Sequence, residues 1–276
     1  MNLVIQGLDV ATPDLKALAK LAGASAIEAI NPNAFRLRNA APNPAIALHC
    51  EQAQLDYAFV PATRKLEDMR LCVMDMDSTL ITIECIDEIA DMQGLKPQVA
   101  AITAAAMRGE LDFAQSLRRR VALLRGLDAG ALQRVYDDRL KLSPGADVML
   151  ARLRHLGIKT LLLSGGFTFF TGRLQKRLSL DYTRSNTLEI TDGKLTGQVI
   201  GDIVDADVKR SALLNVRDDL GLDNAQIIAL GDGANDLKFM TEAGVSVAYR
   251  AKPIVRAQAT HALNYVGLDG TLNLFN

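Results

Sequence analysis

The stretch Leu71-Cys72-Val73-Met74-Asp75-Met76-Asp77-Ser78-Thr79 indicates the fold more strongly than any other part of this 276-residue chain. Its first four residues form an apolar run, as in a parallel strand that is buried on both faces. Two aspartates follow where that strand ends, and open α/β sheets bind their ligands at the carboxyl ends of their strands. The stretch therefore predicts a buried strand that delivers two carboxylates to a ligand site.

Asp75 and Asp77 suit a reaction at phosphorus. A carboxylate can attack phosphorus to form an aspartyl phosphate, but a phosphate dianion repels it unless a cation lies between them. A second carboxylate two residues later could protonate the departing oxygen and afterwards take a proton from water. For this motif alone, two aspartates in a solvated turn are the alternative interpretation.

Apolar runs return after this first strand. They cover Thr160 to Leu163, Ile227 to Leu230 and Val245 to Ala248, and helix-like segments separate them. Short buried strands that alternate with helices predict an α/β fold with a doubly wound parallel sheet. The segment Asn186 to Val199 has alternating apolar residues on both sides of Asp192-Gly193, which predicts an accessory β-hairpin.

Three further signals lie near the ends of predicted strands. Gly231-Asp232-Gly233-Ala234-Asn235-Asp236 adds hard oxygen donors of the kind that magnesium prefers, although a helix-capping turn explains it equally well. It lacks the donor spacing and terminal glutamate of a calcium-binding EF-hand. Ser164-Gly165-Gly166-Phe167 predicts a phosphate cradle at a helix start, or else a plain turn. Lys209 by itself would ordinarily be a solvated surface charge.

Two regions flank this predicted sheet. Residues 84–142 have helical periodicity and form a helical insertion in a domain that we assign to residues 69–276. Residues 1–68 are expected to form a small α/β domain, with a strand at Asn2 to Gln6, a helix at Pro13 to Leu21 and a strand at Ile46 to His49. No internal repeat interrupts this organisation.

The order of nucleophile, hydroxyl, lysine and acidic pair resembles the haloacid dehalogenase-like phosphohydrolases over about residues 70 to 270. The hydrolytic dehalogenases of that superfamily lack the second aspartate that Asp77 provides, so dehalogenation is disfavoured. Glu84-Cys85-Ile86-Asp87-Glu88-Ile89-Ala90 and the segment from Gly109 to Val121 look like the cap of phosphoserine phosphatases. This resemblance implies a Mg²⁺-dependent phosphatase that hydrolyses O-phosphoserine in the last step of serine biosynthesis.

The resemblance also implies a role for each matching residue. Mg²⁺ would be held by the Asp75 carboxylate, the Asp77 backbone carbonyl and Asp232, with Asp236 supporting these ligands. Glu84 would hold the substrate's ammonium group and Arg120 its carboxylate, which suits a zwitterionic amino acid better than a sugar phosphate. The remaining implied substrate-binding residues are Ser164, Gly165, Lys209 and Asn235 at the phosphoryl group, and Met107 and Phe113 along an apolar wall.

Residues 1–68 carry no chemical signature of their own. Many bacterial phosphoserine phosphatases have a small ligand-binding or dimerising domain of the ACT type in this position, so amino-acid regulation and a homodimer are hypotheses. Two rival functions also stay open. One is a phosphotransferase that passes the group to another alcohol such as homoserine, and the other is a catalytically silent phosphoamino-acid sensor.

The amino-acid composition limits the classes of partner that this chain is expected to bind. The 31 lysines and arginines nearly balance the 32 aspartates and glutamates, so no global field attracts nucleic acid or an acidic membrane surface. The expected partner is therefore a small-molecule substrate. Cys50, Cys72 and Cys85 lack disulfide or metal-ligand spacing, which favours free thiols in a reducing cytoplasm. No apolar run approaches the roughly 18 residues of a membrane span, and no secretory leader opens the sequence.

Overall fold

The computed structural model describes residues 1–276. The strands are β1 (Asn2–Gln6), β2 (Ala26–Asn31), β3 (Ala34–Arg38), β4 (Asp56–Val60), β5 (Leu71–Asp75), β6 (Lys159–Phe167), β7 (Tyr182–Thr191), β8 (Lys194–Ile200), β9 (Ile227–Gly231), β10 (Val245–Tyr249) and β11 (His261–Leu263). The helices are α1 (Thr12–Leu21), α2 (Pro44–Gln52), α3 (Cys85–Asp91), α4 (Lys96–Met107), α5 (Phe113–Ala122), α6 (Gly130–Asp138), α7 (Ala146–His155), α8 (Thr168–Leu178), α9 (Ala206–Asp219), α10 (Leu237–Met240) and α11 (Pro253–Gln258).

The chain divides into two compact units. The first contains Met1–Cys72, Ser143–Ile158 and Leu222–Asn276, and the second contains Val73–Leu142 and Lys159–Gly221. No helix combines the length and the apolar character that crossing a membrane requires.

A four-stranded antiparallel sheet lies in the first unit, in the order β2-β3-β1-β4. Leu3 and Ile5 of β1 pack with Leu18 of α1 and Ile46 of α2 in its core. The predicted strand at Ile46 to His49 is wrong, because these residues lie in α2. Asn43 caps that helix by accepting a hydrogen bond from the Ala45 N–H. A four-residue apolar run cannot by itself separate a strand from one turn of a buried helix.

A second, mostly parallel sheet confirms the predicted α/β class. Its seven strands follow the order β11-β10-β9-β5-β6-β7-β8. The β9–β10, β10–β11 and β6–β7 pairs are parallel, whereas β7–β8 is antiparallel. The chain winds outward from β5 in both directions, and such a reversal of strand order is where open α/β sheets bind ligands.

The strands β7 and β8 form the predicted hairpin. Asp192 and Gly193 connect them, and both have positive φ angles, 51° and 73°. Aspartate and glycine tolerate this left-handed backbone, which two-residue hairpin turns of the I′ type require. The prediction of a two-residue turn at Asp192-Gly193 is therefore confirmed.

Helices α3 to α6 occupy the predicted helical insertion, and all four lie in the second unit. The chain enters and leaves the insertion along neighbouring segments, because the Thr82 N–H donates to the Lys141 carbonyl at 3.0 Å. Helix α5 begins with a capping box in which Asp112 and Gln115 satisfy each other's backbone N–H groups. This cap fixes the start of the helix that carries Phe113 and Arg120.

Candidate functional site

The turn after β5 presents the two aspartates of the first motif. All five residues of β5 are buried, and Asp75 is the last of them, at the carboxyl end of the strand. Asp77 has an extended backbone, and Ser78 then adopts a left-handed conformation with φ 56° and ψ 0°. The chain reverses within Met76–Leu80 and continues toward α3.

Helix α9 places the side chain of Lys209 in direct contact with Asp75. The Asp205 side chain caps α9 by accepting hydrogen bonds from the N–H groups of Asp207 and Val208. One turn into this helix, the Lys209 Nζ donates to Asp75 Oδ1 at 2.6 Å, and the lysine side chain is only 1% exposed. The interpretation of Lys209 as a mere surface charge is thereby excluded. A buried ammonium group must be compensated by an opposite charge, which Asp75 supplies.

Asp77 has a perturbed acidity. Burial, the largest cause, and the negative charge of Glu84 together raise the pKa of its carboxyl group to about 7. The hydrogen bond from the Cys85 N–H to Oδ1, 3.2 Å long, and the charge of Lys209 oppose this shift of the pKa. A carboxyl group whose pKa lies near neutrality can both give and accept a proton.

Ser164 lies close to Asp77, three residues before the end of β6. A Cβ added to Gly166 would lie 2.8 Å from Asp77 Oδ2 and 3.0 Å from Ser164 Oγ, so only glycine allows this approach. The prediction that the strand ends before Ser164 is wrong, because β6 continues to Phe167, but a helix does start directly after this segment, at Thr168. The register of β6 against β7 nevertheless shifts between Leu163 and Phe167, which leaves a bulge at the predicted cradle.

Asn186 supports this bulge and was not found from the sequence. Its Nδ2 donates to the Gly165 carbonyl at 2.8 Å, while its Oδ1 accepts a hydrogen bond from the Val204 N–H at 2.8 Å. The side chain is buried, with 1% of the residue exposed. A single asparagine within a strand pattern carries no motif, so only the folded structure reveals this role.

Glu84 stands just before α3 and is held by Ser78. The Ser78 Oγ donates to Glu84 Oε1 at 2.7 Å. Part of the Glu84 side chain remains open to solvent, but surrounding protein atoms displace enough water that desolvation raises its pKa. The hydrogen bond from Ser78 and the positive charge of Arg120 oppose that rise. Ser78 belongs to the first motif, but nothing in the sequence marks it as the partner of Glu84.

Arg120 is a largely buried cation without a hydrogen-bond partner for its Nε. Burial lowers its pKa, whereas the negative charges of Asp87, Glu84 and Asp77, in that order, raise it. Phe113, at the start of the same helix, lies against the β6 bulge, since a Cβ on Gly165 would come within 2.8 Å of its ring. Helix α5 therefore brings an arginine and an aromatic ring to the aspartate-bearing turn.

Met107 is placed differently from these residues. It is the last residue of α4 and is 69% exposed. Its role in an apolar wall stays a prediction.

The second acidic motif follows β9 in the first unit. Asp236 is fully buried, and its Oδ2 accepts hydrogen bonds from the N–H groups of Asp232 and Gly233 at 3.3 and 3.0 Å. Its Oδ1 accepts a hydrogen bond from Asn235 Nδ2 at 3.1 Å. A Cβ on Gly231 would lie 2.6 Å from the Asp236 Cβ, so the glycine permits this tight loop. Asp236 thus holds the loop that carries Asp232.

Asp232 and Asp236 in the first unit and Asp75 in the second are carboxylates that could serve as metal ligands. Carboxylate oxygens are hard donors, which suit Mg²⁺ better than they suit soft transition metals. The donor chemistry therefore fits the expected ion.

Comparison with known families agrees with this chemistry. Residues 69–244 match the family model of the haloacid dehalogenase-like hydrolases, and residues 3–46 match that of a domain of unknown function, DUF4072. The chain belongs to the haloacid dehalogenase-like hydrolases. Within this family, the chain is 56% identical over 215 residues to a phosphoserine phosphatase from Polaromonas sp., an alignment that covers 76% of this chain and 91% of the relative.

Solved structures of hydrolases from this family extend the likeness. A probable phosphoserine phosphatase from Vibrio cholerae, in its unliganded form, has a TM-score of 0.87 and 38% identity, over 99% of this chain and 85% of that one. A substrate-bound phosphoserine phosphatase has a TM-score of 0.70 and 35% identity, over 75% of this chain and 99% of that one. The first likeness includes residues 1–68 as well as the hydrolase part.

Proposed function

We propose that this protein hydrolyses O-phospho-L-serine to L-serine and phosphate. The observation that carries the proposal is the half-buried Arg120, whose buried Nε lacks a hydrogen-bond partner, under the electrostatic influence of Glu84 and Asp77. A fixed anion and a planar cation recognise the ammonium and carboxylate groups of an amino acid. The phosphoserine phosphatases among its relatives support the same substrate.

Asp75 is the proposed nucleophile. Its oxygen forms a bond to phosphorus while the bond between phosphorus and the serine oxygen breaks, and the Asp77 carboxyl donates its proton to that departing oxygen. Asp77 then accepts a proton from the water that attacks the aspartyl phosphate, and phosphate leaves Asp75. The pKa of Asp77, about 7, suits both proton transfers.

Mg²⁺ is the proposed cofactor. Asp75, Asp232 and the backbone carbonyl of Asp77 would hold it, with Asp236 keeping the Asp232 loop in place. The ion would supply positive charge between the nucleophile and the phosphate dianion. Lys209 adds a second positive charge at Asp75.

The substrate would contact three groups of residues. Ser164, Gly165, Asn235 and Lys209 bind the phosphoryl group, and the bulge in β6 favours this because it interrupts the regular register of residues 164–166 against β7. Glu84 binds the ammonium group and Arg120 the carboxylate. Phe113 and Met107 form an apolar wall. The helical insertion at residues 84–142 acts as a cap that excludes water from the acyl phosphate.

The wider setting of the reaction is also a proposal. Hydrolysis of phosphoserine would complete serine biosynthesis. Three buried free thiols favour a reducing compartment such as the cytoplasm. Residues 1–68 would form a ligand-binding or dimerising domain ahead of the hydrolase domain at residues 69–276.

Phosphate release from L-phosphoserine tests the proposal. It would be measured with Mg²⁺ or with a chelator, beside sugar phosphates, p-nitrophenyl phosphate and phosphothreonine. Selective, Mg²⁺-dependent release that Asp75→Asn abolishes is the expected result. A preference for sugar phosphates would overturn the roles of Glu84 and Arg120. Phosphorylation of added homoserine would identify a transferase, and binding without release would identify a sensor.

A further inference from the structure

Ser78 has an unusual backbone for its residue type. Its φ of 56° places it in the left-handed region, which costs a residue with a Cβ about 1 to 2 kcal/mol. Glycine or asparagine would occupy this position with less strain. The serine hydroxyl must therefore contribute something that offsets the strained conformation, and its partner in the structure is Glu84.

The hydrogen bond between Ser78 and Glu84 has a defined direction. An ionised carboxylate only accepts hydrogen bonds, so the Ser78 Oγ donates to Glu84 Oε1 over 2.7 Å. This donation occupies Oε1 and leaves Oε2 to meet a ligand. A glutamate side chain otherwise has several rotamers, and fixing it costs rotamer entropy.

The backbone around Glu84 is held by the same turn. The Ser78 N–H donates to the Ile83 carbonyl at 3.2 Å, and the Cys85 N–H donates to Asp77 Oδ1 at 3.2 Å. Ile83 and Cys85, on either side of Glu84, are thus hydrogen-bonded to Ser78 and Asp77. All of these residues lie in the second unit.

We propose that Ser78 is a positioning residue that sets the selectivity of the enzyme for phosphate monoesters carrying an ammonium group. It holds the Glu84 carboxylate in one rotamer before the substrate arrives, so that binding the ammonium group does not have to order the side chain. The inference deepens the proposed function and rests on it, because it requires that Glu84 bind the substrate's ammonium group.

Three substrates separate this role from a general structural one. Phosphoserine carries an ammonium group and a carboxylate. Phosphoethanolamine carries only the ammonium group, and 3-phosphooxypropanoate carries only the carboxylate. The kcat/KM of each would be measured for the wild type, Ser78→Ala and Ser78→Gly, with slowly hydrolysed compounds assayed as competing inhibitors. Alanine removes the hydroxyl and keeps the backbone strain, whereas glycine removes both. Ser185→Ala is the matched control, because it deletes another 2.7 Å side-chain hydrogen bond, to Thr171.

The expected result is a loss of selectivity in both Ser78 variants. The preference for phosphoserine over 3-phosphooxypropanoate falls about tenfold, the size typical of a hydrogen bond to a charged group. The preference for phosphoserine over phosphoethanolamine stays within about twofold of the wild-type value, a tolerance well below one tenfold step. An unchanged preference for phosphoserine over 3-phosphooxypropanoate, with an equal loss of kcat on every substrate, would overturn the inference and assign Ser78 to the catalytic turn alone.

Glu84→Gln separates failure of the inference from failure of the proposed function. If Glu84→Gln loses the preference for the ammonium group and the Ser78 variants keep it, the role of Ser78 is wrong and the proposed function stands. If Glu84→Gln also keeps the preference, the assignment of Glu84 is wrong, and the inference falls with it.

Discussion

Lys209 Nζ lies 2.6 Å from Asp75 Oδ1, and the two side chains are 1% and 8% exposed. Because neither side chain has much water around it, the opposite charge of each helps to stabilise the other. The same contact gives the proposed nucleophile a fixed orientation and a neighbouring positive charge. Fold stability and catalysis therefore depend on the same pair of residues.

Lys209→Met should remove most of the activity and destabilise the protein. Removing one partner of a buried ion pair costs about 3 to 5 kcal/mol, and losing a charge that stabilises the transition state lowers kcat on the order of 10²- to 10³-fold. Urea denaturation without metal and phosphate release with Mg²⁺ measure the two effects. Lys159→Met is the control, because it removes an equally short but exposed bridge to Asp181, 2.7 Å long, and should cost under about 1 kcal/mol. Equal costs in the two variants would contradict the role of burial.

Arg120→Ala should weaken phosphoserine hydrolysis about a hundredfold in kcat/KM, because the substrate carboxylate would lose its charged partner. Hydrolysis of phosphoethanolamine, which has no carboxylate, should change little. Steady-state kinetics on both substrates give the comparison. Arg119→Ala, at the exposed neighbouring position, controls for the loss of positive charge from α5. An equal loss on both substrates in Arg120→Ala would remove the carboxylate assignment.

The sequence predicted those parts of the site that lie at strand ends. Buried parallel strands are recognisable as apolar runs, and the residues directly after such runs were the candidates, which is how Asp75 after β5 and Asp232 after β9 were found. Lys209 could not be recognised alone, because only the course of α9 brings it to Asp75. The bulge at residues 164–166 was missed for a similar reason, since its hydrogen bonds depend on the distant Asn186.

At two positions the local sequence pattern did not predict the structure that the chain adopts. The run at Ile46 to His49 is too short to show its period, and the cap formed by Asn43 determined the helix instead. Ser78 looked like an ordinary member of a motif, although its backbone strain becomes visible only in the folded turn.

Gly166→Ala should impair catalysis without unfolding the protein. Its added Cβ would lie 2.8 Å from Asp77 Oδ2, so Asp77, which serves as both the proposed general acid and the proposed general base, must move. A displacement of about 1 Å can cost on the order of a hundredfold in rate. Gly172→Ala is the matched control, because nothing lies within 4 Å of its added Cβ in α8. That change should stabilise the helix by about 0.5 to 1 kcal/mol. Wild-type kcat in Gly166→Ala would show that Asp77 does not need its present position.

Asp56→Ala should destabilise the first unit by at least 2 kcal/mol or so, since three buried or half-buried backbone N–H groups lose their acceptor. Asp56 accepts hydrogen bonds from the N–H groups of Asn264, Tyr265 and Val266 at 2.7, 2.9 and 3.0 Å. Chemical denaturation measures the loss, and Asp14→Ala, at a partly exposed contact with His49, is the control. A cost no larger than that of Asp14→Ala would contradict this prediction.

These hydrogen bonds also bear on how amino-acid regulation can be tested. Removing residues 1–68 would delete Asp56 and leave the same N–H groups without a partner. We therefore expect the truncated chain to be unstable, which near-ultraviolet circular dichroism and thermal denaturation would detect. Kinetics of the truncated chain would then report instability rather than regulation, so serine titration of the intact protein is the better test.

The stability of the first unit should depend on His261 at mildly acidic pH. Burial, the larger cause, and the positive charge of Arg64 together lower the pKa of this histidine to about 4. Arg64 Nη1 lies 2.7 Å from His261 Nε2, and because arginine only donates hydrogen bonds, that nitrogen must be the unprotonated acceptor. The folded protein therefore favours neutral imidazole, whereas the unfolded chain binds a proton below its ordinary pKa of about 6.5.

The unfolded state consequently binds more protons between about pH 4 and 6.5, so the free energy of unfolding should fall as the pH is lowered through this window. The shift corresponds to roughly 3 kcal/mol at most. Urea denaturation of the wild type and His261→Gln at several pH values from 4.5 to 7.5 would isolate this contribution, because other titrating groups cancel in the difference. His155→Gln, at an exposed position, controls for the loss of a histidine from the unfolded chain. Parallel pH profiles for the wild type and His261→Gln would show that the pKa of His261 is the same in the folded and unfolded protein, which would contradict this prediction.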